Sequence, residues 1–291
     1  MYGSGYGLGI SRRRSAVNFP LDPFSGQLYG AFGLARLVAG YAGPCLRVRR
    51  NGDGAEADIG FGAAGALDTP ALLAFAGTGN AYLARWYDQT GNVRHATQTV
   101  VAAQPRIVNA GVLDAGPKGK PVLVFDGAQM MDMQSALGFS RNVAAVTMAA
   151  VVKSTSPAGY PIIFNSAPPT SGVMRAGIYF VGSFDAVVGG KRRAGEGEQN
   201  ALLVSPPGFV RLIGRLRYAE AKADVAANGS TAQITFQTPG LTDDADSWAA
   251  PRIGGLNTGS NGWVGSISCI VLARAALDVA ALDAALNQMS P

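Results

Sequence analysis

Charge is scarce in this chain. Only 15% of its 291 residues are charged, against a usual share of about a quarter. That shortage argues against a helical bundle, whose solvated faces draw on Glu and Lys. A single histidine, His95, excludes a histidine-based metal cluster, and without a nucleophile elbow it makes no Ser-His-Asp triad. Two cysteines are too few for a disulfide framework and are expected as free thiols. No apolar run reaches the length of a membrane span; the longest, Val143 to Val152, stops at Lys153. Met1 to Tyr6 has neither the charged nor the apolar region of a secretory signal, so the chain is expected to stay in the cell that makes it until that cell lyses. Gly3 to Gly9 contains Gly-x-Gly, but no strand precedes it, which rejects nucleotide binding.

What is present points to strands. Hydrophobic residues make up 48%, enough for a sizeable core, and 39 glycines with 16 prolines supply many turns. The net charge of +5 is spread out apart from Arg12, Arg13 and Arg14 and the group Arg47, Arg49 and Arg50. These are read as solvated arginines or protein contacts, so no nucleic-acid partner is expected.

Residues 1–26 read as an extended arm. Glycines alternate with Tyr2, Ser4, Tyr6 and Leu8, which leaves no two-sided surface to pack. Tyr2, Tyr6, Arg12, Arg13 and Arg14 are its candidate subunit contacts. Residues 27–291 form one domain. From Leu28 to Gly40 the apolar spacing predicts a helix. Cys45 shares a strand face with Arg47 and Arg49 and is expected outside the core, whereas Cys269 is expected within it. Thr69 and Pro70 start a helix that Gly77 ends, and Asp278 caps a last one with Leu282, Leu286 and Met289 on one face. Between them, strand follows strand at 10 to 20 residue spacing, the mark of a sandwich or jelly roll.

Four segments carry a family resemblance. Leu34-Ala-Arg-Leu-Val38 with Tyr41 to Arg50, and Arg85-Trp-Tyr-Asp-Gln-Thr-Gly-Asn92 followed by His95, resemble the catalytic domain of the arabinofuranosidase B family. Val124-Phe-Asp-Gly127 with Thr147 to Val151, and Arg252-Ile-Gly-Gly255 with Gly262 to Ile267, resemble concanavalin-like and laminin-G-like sandwiches. The resemblance implies an all-β, concanavalin-like jelly-roll sandwich of two antiparallel sheets with a few short helices and a carbohydrate-sized groove. It also implies a catalytic acid after Ile-Gly-Gly, where this chain has Leu256 and Asn257. The implied glutamate nucleophile matches Val181 to Asp185, which holds no Glu. Asp185 lies one residue away, and a one-residue slip turns a side chain to the opposite face.

With both acids absent from those positions, the expectation is a non-catalytic structural or adhesive protein of a bacteriophage particle: tail fibre, baseplate or head decoration. Its expected location is the virion, and its expected partners are other virion proteins, copies of itself and host surface polysaccharide. Trp86 and Trp263 are the candidate stacking aromatics, with Asp88, Asn92 and Asn257 as hydrogen-bonding groups. Asp53, Asp58, Asp243, Asp244 and Asp246 lack EF-hand spacing, so no metal and no cofactor are expected. Two alternatives stand beside this reading: an active arabinofuranosidase using Asp185, and a cytoplasmic binding module.

Overall fold

The computed structural model describes residues 18–133, 138–155, 159–166, 174–182, 185–193, 196–235, 239–242, 251–256 and 261–291. The first strands are β1 (Leu28–Gly33), β2 (Leu46–Arg50), β3 (Glu56–Ile59), β4 (Ala81–Trp86), β5 (Ala96–Thr97) and β6 (Arg106–Asn109). Next come β7 (Val112–Leu113), β8 (Leu123–Asp126), β9 (Met131–Asp132), β10 (Val146–Ser154), β11 (Ile162–Ser166) and β12 (Ala176–Val181). The last are β13 (Asp185–Gly190), β14 (Gln199–Val204), β15 (Val210–Arg217), β16 (Lys222–Ala227), β17 (Ser230–Thr235), β18 (Arg252–Ile253) and β19 (Val264–Ala273). Two α-helices, α1 (Thr69–Ala76) and α2 (Val279–Met289), complete the elements used below. Among the described residues, no helix is long and apolar enough to cross a membrane.

Every strand pairing is antiparallel, and the pairings build two layers. In the first, β19 has β10, β15, β16 and β17 on one side, while β1 and β8 share its other edge. The second runs β3, β2, β4, β5, β9, β18, β11, β12, β13, β14. The layers join through β8, β6 and β4. This is the all-β sandwich that the strand spacing and the resemblance imply.

Two cores follow from which side of the first layer a residue faces. Phe32, Met148, Leu212, Ile270 and Leu272 face the second layer and bury against Trp86, Phe164, Ile178 and Val188. Gly214 permits the close approach, since a Cβ there would lie 2.7 Å from both Ile178 Cγ2 and Val188 Cγ2. The outer side of the first layer (Ala31, Ala149, Val151, Ile213, Cys269, Val271) is covered by Leu282, Leu286 and Met289 of α2 and by Leu21, Phe24 and Leu37. Asp278 caps α2 by accepting from Ala281 N at 2.7 Å, and an Arg211–Asp283 ion pair at 2.8 Å ties the helix to β15.

Four expectations change. Residues Leu28 to Gly33 are strand β1, not helix. Both faces of this strand are buried, so its apolar run carries no alternation, and Gly30 and Gly33 disfavour a helix. Cys45 is fully buried, with its Sγ 3.2 Å from the Gly33 carbonyl, because it precedes β2 and escapes that strand's alternation. Helix α1 is capped by Asp68, whose carboxylate accepts from Ala71 N at 3.1 Å, rather than by Thr69. Within the predicted arm, residues 18–26 pack on the domain: Leu21 is fully buried, its N–H donates to Leu37 O at 2.9 Å, and Arg36 stacks over Phe19. Tyr2, Tyr6, Arg12, Arg13 and Arg14 lie outside the described residues.

Candidate functional site

The Tyr87-to-Asn92 loop, which carries the family-like signature, turns inward. Trp86 is fully buried, and its Nε1 donates to Gly33 O at 3.3 Å. The Asp88 carboxylate, 1% exposed, accepts from Ala31 N at 3.0 Å, Thr90 N at 3.0 Å and Arg94 N at 3.1 Å. Gln89 accepts from Leu37 N and donates to the Gly33 and Ala35 carbonyls. Asn92 turns its amide to the Leu28 and Tyr29 carbonyls. His95 Nδ1 accepts from Asp88 N at 3.1 Å, and burial holds its pKa below the ordinary value. This loop is a latch that holds β1 to β4. Trp86 and the Asp88 carboxylate are buried in it, which corrects these two as sugar contacts, while Asn92 stays exposed with its amide nitrogen committed to backbone.

Trp263 is also fully buried, stacked on Phe180 with centroids 5.6 Å apart, and offers no face to a ligand. Asn257, Asp243, Asp244 and Asp246 lie outside the described residues. Asp53 and Asp58 are held in ion pairs with Arg50 and Arg47.

The outer face of the second layer carries further polar groups, accessible at its two ends. Register places Asp58, Arg47, Arg85, Thr97, Asp132, Arg252, Asn165, Gly177, Gly189 and Asn200 side by side across its ten strands. The row runs for about 43 Å at roughly 4.8 Å per strand, but its middle is closed. Asn165, Gly177 and Gly189 are buried, and Met174 lies over Gly177 in an outer apolar cluster with Ile162, Tyr179 and Val187. Arg47 pairs with Asp58 at 2.8 Å and Arg252 with Asp132 at 2.6 Å. Asn165, at the middle, is fully buried and donates to Gly255 O.

At the β14 end, glycine makes room for a polar cluster. A Cβ on Gly189 would lie 2.9 Å from Glu198 Oε1 and 3.0 Å from the Tyr179 hydroxyl. Tyr179 donates to Glu198 at 3.4 Å, and the Asn200 amide, turned to satisfy both ends, donates to Glu198 Oε1 at 3.0 Å. Burial raises the Glu198 pKa, against the hydrogen bonds and the Lys191 charge that lower it. Asp185 lies on this same face, since it alternates with Val187 and Gly189. It stands four residues along β13 from Gly189, about 14 Å away. Sequence reasoning missed Glu198, which precedes β14 in Gly195-Glu-Gly-Glu198 and matches no family position.

At the β2 end lies a trough of two depressions that share Arg49, Val101 and Gln104. One, of about 220 Å³, is also lined by Arg47, Glu56, Arg85, Thr97 and Gln98. The other, of about 330 Å³, is also lined by Tyr82, Arg106, Asp126 and Gln129. Arg49 is 7% exposed, with its guanidinium 5.2 Å from the Tyr82 ring centroid. Its hydrogen bonds go to Gln104 Oε1 at 2.7 Å and to the Arg50 carbonyl. A bulge at Ala84 decides where Arg85 points. Arg47 pairs with Arg85 but Val48 pairs with Leu83, so one residue is extra. Regular alternation from buried Ala81 and Leu83 would send Arg85 to the core and Trp86 outward; the bulge reverses both.

No protein-family model matches the chain, and no curated protein matches it in sequence. Solved structures do match in fold. A GH54 α-L-arabinofuranosidase soaked with a cyclic sulfate inhibitor superposes with a TM-score of 0.61 at 17% identity. A glutamate-to-glutamine mutant of GH54 α-L-arabinofuranosidase, soaked with 4-nitrophenyl α-L-arabinofuranoside, gives 0.62 at 18%. An arabinofuranosidase complexed with arabinofuranosyl-α-1,2-xylobiose gives 0.62 at 17%. Each match covers 93% of this chain but only 64% of the other. At that identity the likeness establishes the sandwich fold, which this chain shares with carbohydrate-active proteins.

Proposed function

We propose that the chain recognises carbohydrate through the outer face of its second layer and does not hydrolyse it. The observation that carries this is the pair of polar surfaces at the β2 and β14 ends of that face, on a sandwich of the arabinofuranosidase type. At the β14 end the half-buried Glu198 carboxylate and the exposed Asn200 are polar groups of the kind that pair with sugar hydroxyls. Retaining hydrolysis requires two carboxylates about 5 Å apart. Among the described residues no second carboxylate hydrogen-bonds to Glu198, Tyr179 or Asn200, and Asp185 is too far along β13 to complete a pair with Glu198. In the finer form of the reading the chain belongs to a phage particle, as fibre, baseplate or decoration protein, where repeated copies raise weak single-site binding to useful avidity.

The test is a glycan array probed with wild type, Glu198→Gln and Asn200→Ala, beside an assay with aryl arabinofuranosides. Binding weakened by both substitutions, with no turnover, is expected. Turnover lost in Glu198→Gln or Asp185→Ala would reinstate the hydrolase. Co-purification with particles tests the finer form; a free monomer that never enters particles would overturn it.

A further inference from the structure

We propose that the trough at the β2 end binds an acidic polysaccharide, with Arg49 and Arg85 holding the oxyanion, carboxylate or sulfate, of one sugar unit. The inference deepens the carbohydrate reading and rests on it only for the ligand being a sugar. Its basis is charge that the protein itself leaves uncompensated. Of the three arginines around the smaller depression, Arg47 alone has a carboxylate partner, Asp58, which it grips with Nε and Nη2 at 2.8 Å each. Asp58 is further committed by the Tyr87 hydroxyl, which donates to it at 2.8 Å.

Arg85 stands directly across the strand pair from Arg47. Like charges in that position destabilise a sheet. Among the described residues Arg85 forms no ion pair; its guanidinium lies 5.7 Å from the Tyr87 ring centroid and acts on Asp58 only through space. It faces outward only through the bulge at Ala84, and bulges serve to re-aim side chains at functional sites. Arg49 is more unusual, since it is more than nine-tenths buried and its partners are neutral. A buried cation without a counter-charge is costly. Its side chain is fixed all the same: Gln104, which receives its Nε–H, donates to Gln98 O at 2.9 Å, and Gln98 donates to Met130 O at 2.9 Å. Glu56, opposite Arg49 in register, is exposed and ion-paired to none of the three arginines. The site is therefore pre-organised, with Arg49 and Arg85 ion-paired to no carboxylate among the described residues.

Guanidinium forks match planar carboxylates and sulfate edges with paired hydrogen bonds. The neighbouring depression extends past Arg49 along Tyr82 and Gln129, where Arg106 is already neutralised by Asp114 at 2.8 Å. The trough thus offers one strongly cationic subsite beside one where Asp114 and Asp126 offset Arg106, room for an acidic sugar and its neighbour. Nucleic acid fits less well. The Tyr82 face that could stack on a base is taken by Arg49.

The full chain is titrated calorimetrically at 0.15 M salt with four probes: tetragalacturonate, its methyl ester, a chondroitin sulfate tetrasaccharide and an oligothymidylate. Tetragalacturonate, the sulfated tetrasaccharide or both should bind at least tenfold more tightly than the methyl ester. A carboxylate-only or sulfate-only response would identify the oxyanion. Arg85→Gln should weaken acidic binding at least tenfold while Tm stays equal or rises, because the clash with Arg47 is relieved. Arg85→Lys should restore only part. Arg193→Gln, at an exposed arginine that lines neither depression, should leave acidic binding unchanged. Equal binding of ester and acid, or acidic binding unaffected by Arg85→Gln, would overturn the proposal. So would tighter binding of the oligothymidylate, which would assign the trough to nucleic acid. Loss of acidic binding alone, with neutral glycans still bound at Glu198, would overturn the trough but not the carbohydrate reading. No binding of any glycan would overturn both.

Discussion

Gln89 Nε2 donates to the carbonyl of Gly33 at 3.1 Å, across 56 residues of sequence. Trp86 Nε1 and Cys45 Sγ reach the same oxygen at 3.3 Å and 3.2 Å. Gln89 also serves Ala35 O and Leu37 N, so one side chain satisfies the backbone where β1 leaves its sheet. Gln89→Leu keeps the volume and removes all three bonds; Gly33 O keeps Trp86 and Cys45, so Ala35 O and Leu37 N are left unpaired. Leaving buried backbone groups unpaired costs about 1–3 kcal/mol each. We expect a loss of roughly 3 kcal/mol, read as a lower urea midpoint at unchanged slope. A change under 0.5 kcal/mol would show that water replaces the latch.

Gly214 sets the spacing of the two layers. Gly214→Ala would force a methyl group against Ile178 and Val188, both in the sealed core. Overpacking of this kind costs roughly 1–3 kcal/mol. Gly60→Ala is the control, since nothing lies within 4 Å of its added Cβ. A drop in Tm for Gly214→Ala alone is expected; equal effects would refute the packing argument.

Asp224, 6% exposed on β16, joins two arginines of β15. Arg217 Nε lies at 2.8 Å, Arg215 Nη2 at 3.1 Å, and Gln233 also donates. Burial pushes its pKa up, but the Arg217 and Gln233 hydrogen bonds and the arginine charges outweigh it, so the net shift is downward. A depressed carboxylate contributes stability above its unfolded value of about 3.9 and loses it as pH falls further. Asp224→Asn should cost roughly 1–3 kcal/mol at pH 7 by weakening its bonds to two half-buried arginines, of which Arg217 keeps Glu220. The difference from wild type should shrink below about pH 4. Thermal melts across pH 2.5 to 7 check this, and a pH-independent difference would refute it.

Glu198 runs the opposite way. Its raised pKa means that ionisation is disfavoured in the folded chain. Stability present below the ordinary glutamate value of about 4.3 is lost as pH rises through the folded pKa. Glu198→Gln mimics the neutral acid, so it should raise Tm at pH 7 and leave it unchanged near pH 4. A stabilising substitution that weakens glycan binding is what a binding group produces. A lower Tm at both pH values would make Glu198 a packing residue instead.

The sequence alone determined the class of this protein and its local punctuation. Strand spacing and the scarcity of charge indicated the sandwich, and Asp278 with Leu282, Leu286 and Met289 marked the last helix, because these signals act over a few residues. Tertiary structure decided which side chains meet solvent. Leu28 to Gly33 became a strand because both of its faces are covered, a fact no local period records. One bulged residue, Ala84, sent Trp86 into the core and Arg85 to the surface, because strand alternation has period two and one extra residue inverts it. The polar row likewise joins residues as distant as Asp58 and Asn200, and only the pairing of ten strands brings them into line.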